Sequence, residues 1–166
     1  MNTTETKLLS HQLQGIMECW DMTNLFYLLK MPQLYKQQKY RLFKLMECHQ
    51  WTNTTMIQQY GEIDEIPYEY SSHLKLPLKQ DMESSERTTL INEMLDSWLK
   101  WSTTLMELCT QLYQDNKIVW KRLCVHSQNE VHMAQRMHDM YYTQPKTKNL
   151  RMELQAKLNA AKNASI

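Results

Sequence analysis

From Gly61 to Ser85 the chain reads GEIDEIPYEYSSHLKLPLKQDMESS. Two prolines, several acidic residues and scattered aromatics stand here without the three-and-four spacing that marks a helix. The stretch is too long for a tight turn between antiparallel neighbours. About a dozen extended residues at ~3.3 Å each already span roughly 40 Å, the length of a long helix pair. The segment therefore reads as a crossover, and the order of elements on either side of it decides the fold.

On the N-terminal side, Leu9, Leu13, Ile16, Trp20, Thr23 and Tyr27 recur at steps of three and four, which predicts a helix from about Glu5 to Lys30. Met31-Pro32 interrupts it, because proline lacks a donor and restricts the residue before it. A second helix is expected from Gln33 to Tyr60, with Tyr35, Leu42, Leu45, Met46, His49, Asn53, Met56 and Tyr60 on its inner side and Gly61 as its stop. After the crossover, Ser84 and Ser85 can cap a third helix striped by Leu90, Met94, Trp98, Trp101, Leu105, Leu108 and Leu112. The polar turn Gln114 to Lys117 leads to a fourth helix, Ile118 to Tyr142, which Pro145 closes; Asn149 to Lys162 reads as a short fifth. The expectation is all-α: a four-helix bundle in residues 1–145 with one long crossover, then a short C-terminal helix and tail in 146–166.

Composition agrees. The 166 residues hold only 2 Gly and 4 Pro but 13 Met, a poverty of helix breakers that suits long helices. A net charge of +1 gives no global field for nucleic acid, and no apolar run approaches a membrane span. Cys19, Cys48, Cys109 and Cys124 lack metal or redox spacing and read as buried reduced thiols. With no apolar core of a signal peptide in residues 1 to 15, the expected location is cytoplasmic.

The stretch LMELCTQLYQDNKIVWKRLCVHSQNEVHMAQRMHDM (Leu105 to Met140) resembles the third-to-fourth-helix region of the ferritin family. Leu-Met-Glu-Leu, the Asp-Asn turn, Leu123-Cys124, Asn129-Glu130 and His138-Asp139 fall in nearly the ferritin order. HQLQ (His11 to Gln14) is similar to the start of the first ferritin helix, and Gly61 resembles the glycine ending the second. The one long connection is also the connectivity of ferritin-like bundles. The likeness covers about residues 8 to 142.

Active ferritin chains oxidise Fe(II) between the helices, with ligands from a first-helix Glu, a second-helix Glu-x-x-His, a third-helix Glu and a fourth-helix Gln. Carried over by this resemblance, the five positions fall at Ile16, Met46, His49, Trp98 and Val131. Only His49 keeps a ligand side chain. Glu47 and His49, like Glu130 and His132, are two residues apart, so about 200° of helix separates each pair and neither can share a metal. His49 alone on an apolar face reads as a hydrogen-bonded core histidine. Glu18 and Asp21 share a face and read as solvated surface charge. The matching stretch for the mineral-nucleating surface, KQQKYRLFKLME (Lys36 to Glu47), is basic with a single Glu.

The resemblance implies a ferritin-like subunit of the iron-storage family whose ferroxidase centre is lost. It implies no enzyme activity and no cofactor, iron being held only where a remnant of the site survives. Its partners would be other ferritin-like chains in an oligomer, without nucleic acid or membrane. The alternative from a different class is a scaffolding subunit that reuses the bundle in a larger assembly. Leu34, Tyr40 and Phe43 are the expected association anchors.

Overall fold

The computed structural model describes residues 1–62, 82–143 and 148–165. The crossover from 63 to 81 and the Pro145 stop lie outside them. The described residues are all-α: α1 Thr3–Leu28, α2 Pro32–Tyr60, α3 Ser84–Asp115, α4 Lys117–Tyr141 and α5 Lys148–Ser165. Among them no helix is long and apolar enough to cross a membrane. They divide into two compact units, Met1–Met82 and Glu83–Ile166.

The first unit is an antiparallel hairpin of α1 and α2. Asn2 caps α1 by accepting from the Glu5 amide at 2.8 Å, and the Tyr60 hydroxyl at the far end of α2 donates to Glu5 Oε1 at 3.0 Å. At the closed end, Met31 N–H bonds Phe26 C=O and Lys30 N–H bonds Tyr27 C=O, the paired closure of a Schellman motif. Pro32 then opens α2 where a missing donor does no harm.

Lys30 carries that motif's left-handed residue, with φ 56°. A side chain there crowds the following carbonyl, and glycine does not. Lys30→Gly should raise stability by about 0.5–1 kcal/mol, a gain of about 2 °C in melting temperature. A lowered melting temperature would show that the lysine side chain contributes more than its backbone strain removes.

The faces of the hairpin differ from the sequence reading. The buried line of α1 runs through Leu8, Gln12, Cys19, Met22 and Phe26, and that of α2 through Leu34, Gln38, Arg41, Leu45, Thr52 and Met56. Trp20, Tyr27 and Met46, expected inside, are exposed, while Leu34, expected as a surface anchor, is fully buried. Seven polar side chains are buried in the hairpin (Glu5, Gln12, Glu18, Thr23, Gln38, Arg41 and Thr52), so apolar spacing alone selects a face rotated by about one residue.

In the second unit α3 and α4 pair, and α5 packs on both. Leu90, Met94, Trp98, Trp101, Leu105 and Leu112 are buried as expected, with Leu108 half-buried. The α3–α4 link is Asn116 alone, closing one helix and capping the next by accepting from the Val119 amide. Helix α5 joins the core through Leu158 and Ala161, which cluster with Met106 of α3 and Val131 of α4. Gln128 of α4 donates to the Ala161 carbonyl at 3.2 Å, and Lys157 pairs with Glu107 at 3.0 Å.

Candidate functional site

Each unit places some of the five positions that the ferritin resemblance marks. In the first unit Ile16 is half-buried, Met46 is 54% exposed and His49 is half-buried. His49 belongs to a chain of hydrogen bonds with one direction. Gln12 Nε2 donates to Thr52 Oγ1 at 2.8 Å, which turns the Gln12 carbonyl toward His49 Nδ1, also at 2.8 Å. The ring therefore carries its proton on Nδ1, an assignment made from the network. Nε2 then accepts from Asn53 Nδ2 at 3.3 Å, and Thr52 donates onward to the Cys48 carbonyl. Both ring nitrogens are engaged in protein hydrogen bonds.

Burial lowers the His49 pKa below its ordinary 6.5, because the charged form loses its water. His132 is lowered in the same direction, by desolvation and then by Lys162. A depressed folded pKa means that the unfolded chain binds the proton more readily. The stability these neutral histidines contribute is complete above pH 6.5 and falls as pH drops from there toward their folded pKa values. His49→Gln should flatten part of that acid-side slope in denaturant melts across pH; an unchanged slope would remove His49 from the account.

A second polar cluster lies deeper in the hairpin. Cys19 Sγ donates to the Gln38 backbone and side-chain carbonyls at 3.2 and 3.3 Å, and Arg41 Nη1 donates to the same side-chain oxygen at 3.1 Å. Gln38 Nε2 is buried without a hydrogen-bond partner. Glu18, expected as solvated charge, is only 2% exposed, with Gln14 Nε2 donating to it at 3.3 Å. The carboxylate pair Glu18 and Asp21 is therefore not a free surface pair.

In the second unit Trp98 and Val131 are buried. The Trp98 indole N–H donates to Glu130 Oε1 at 2.6 Å, so Glu130 satisfies a core side chain. As a donor set, the five positions do not fit an iron pair. Ile16 and Val131 have no donor atom, Met46 offers only a thioether, Trp98 an N–H already spent, and His49 a ring whose acceptor nitrogen is occupied. Among the described residues no group of three or more His, Cys, Asp or Glu side chains stands together to hold a metal.

The sequence reading also missed a polar grouping in the second unit. His138, buried in the last turn of α4, meets Asp96 of α3 at 3.0 Å and stacks on Tyr142, centroids 4.3 Å apart. A cavity of about 80 Å³ adjoins it, lined by Leu99, Gln135, His138, Asp139, Leu154 and Gln155. That is room for little more than water, so the pair fastens the end of α4 to α3. Forty-two residues separate His138 from Asp96, and no local spacing announces them. No family model, no curated protein and no solved structure matches the chain.

Proposed function

We propose that the chain is a non-catalytic helical subunit of ferritin-like type that works by assembling with other chains and carries out no iron chemistry of its own. The observation that carries this reading is His49. It is the one ligand side chain left at the inferred iron positions, and it commits Nδ1 to Gln12 and Nε2 to Asn53. To bind a metal it would have to break the Asn53 bond and leave a half-buried amide unsatisfied. Trp98 and Val131 support the same reading, since large apolar groups stand where carboxylate and carboxamide ligands would be needed.

The role left to such a subunit is architectural, and iron storage enters through the chains it joins. Stopped-flow mixing of the purified chain with Fe(II) should show no saturable fast oxidation above the buffer rate. A burst equivalent to two irons per chain would overturn the reading. Native mass measurement of the complex isolated from its source separates the forms of the proposal: a closed hollow particle speaks for a ferritin shell, a component of a larger non-ferritin machine for a scaffold.

A further inference from the structure

At the closed end of the α1–α2 hairpin lies a cavity of about 580 Å³. Phe26, Tyr27 and Leu28 line it from the last turn of α1, Lys30 and Met31 from the link, and Tyr35 from the first turn of α2. Its volume falls within the roughly 300–1,000 Å³ of sites that take small organic ligands. Much of the apolar lining is open to solvent: Tyr27 is 67% exposed and Leu28 47%, while Phe26, 1% exposed, ties the cavity to the core. The Tyr27 and Tyr35 rings lie 5.5 Å apart and tilted by 54°, which leaves no slot between them for a flat ring. A flexible chain can follow this uneven wall of Leu, Met and Tyr.

The charges around the cavity are of one sign. From Met22 to Met46 the chain carries Lys30, Lys36, Lys39, Arg41 and Lys44 and no Asp or Glu. Lys30 lines the cavity, and Lys39 Nζ stands 5.8 Å over the ring of Tyr35. Neither lysine has an ion pair among the described residues. Helix α2 starts here without a capping side chain, so the positive end of its dipole adds to theirs. The carbonyls of Leu25, Phe26 and Tyr27, which would repel an anion, are taken by the amides of Leu29, Met31 and Lys30. The backbone points the same way independently. Lys30 holds φ 56°, where glycine would cost less, so a cationic side chain is kept against the preference of the turn.

We propose that this cavity binds an amphipathic carboxylate, a single aliphatic chain with an anionic head. The chain lies against Leu28, Met31 and Tyr35, and the head meets Lys30. A neutral oil would leave the lysine charge unmatched, and an inorganic anion would leave the apolar wall in water. The site is built by the hairpin's own residues and stands apart from the assembly reading.

Calorimetric titration of the full chain with octanoate, decanoate and dodecanoate, each below its micelle concentration, tests it. Binding should saturate at one acid per chain and weaken about fourfold for each methylene removed. Lys30→Gln should weaken decanoate by about three- to fivefold and leave decanol, its neutral counterpart, unchanged. Met31→Asp places a carboxylate in the lining at a position where Asp caps α2. Helical content should therefore persist while decanoate binding falls about tenfold or more. Uptake that does not saturate, an affinity that ignores chain length, equal losses of acid and alcohol in Lys30→Gln, or decanoate binding that Met31→Asp leaves intact would each overturn the site. Co-sedimentation with phosphatidylglycerol vesicles separates the other source of an acyl anion. A chain that pellets with vesicles but takes up no free decanoate would carry a membrane-facing surface in place of this site, and the proposal would fall.

Discussion

Trp98→Ala should destabilise the chain by about 3–5 kcal/mol, the usual loss when a large aromatic is truncated in a core. Trp98 is 1% exposed and among the largest fully buried side chains, so little of the vacated space can collapse. Its indole N–H also bonds Glu130 at 2.6 Å. Two companions separate the contributions. Trp98→Phe keeps most of the ring packing but loses the hydrogen bond, and Glu130→Ala keeps the ring but orphans a buried N–H. Each should cost about 1–3 kcal/mol. Urea melts of the three variants check the order. A harmless Trp98→Ala would mean that the ring packs loosely, and a harmless Glu130→Ala that the indole finds another acceptor.

Leu158→Ala should lose about 2–5 kcal/mol. Leu158 is 1% exposed and packs with Met106, Val131 and Ala161. Removing it opens a cavity at the point where α3, α4 and α5 meet. Lys157→Ala, one residue away, loses an exposed ion pair with Glu107 and should shift stability by less than about 1 kcal/mol. Equal, small effects from both substitutions in the same melts would show that α5 is not part of the cooperative core.

The two units differ in how far their faces could be read from the sequence, and the difference is chemical. Along α3 Asn92, Ser97, Ser102 and Thr103 are buried too, but the expected stripe of Leu, Met and Trp is itself inside, so apolar spacing still finds the buried face. Along α1 and α2 the core line includes Gln12, Gln38, Arg41 and Thr52, which a reading of hydrophobic periodicity counts as surface. Trp20, Tyr27 and Met46 then complete a plausible but false inner stripe. Helix limits were legible because they rest on local signals: Pro32, Gly61, Ser84 and the Asp-Asn turn. The hydrogen bonds of the candidate site were not. Gln12 to His49, Trp98 to Glu130 and Asp96 to His138 join residues 37, 32 and 42 apart, and nothing in the spacing of either partner reveals the other. The lone His49 reads in the sequence as a hydrogen-bonded core histidine; it is hydrogen-bonded but half-buried, and its proton position was not legible, because that follows from the orientation of Gln12.

The polar seam of the hairpin also governs how faithfully it forms. Two amphipathic helices held only by Leu and Met can slide past one another by a turn and lose little packing. Here a slide would part Glu5 from Tyr60, Gln12 from Thr52 and His49, and Cys19 from Gln38 in a single movement. Each buried group left without its partner costs about 1–3 kcal/mol. A misaligned hairpin with two such orphans would already be populated at below about 4% even at the lower figure. The side chains that give up hydrophobic stabilisation in this unit thus act as a proofreading device, admitting one alignment of α1 on α2 and rejecting its neighbours.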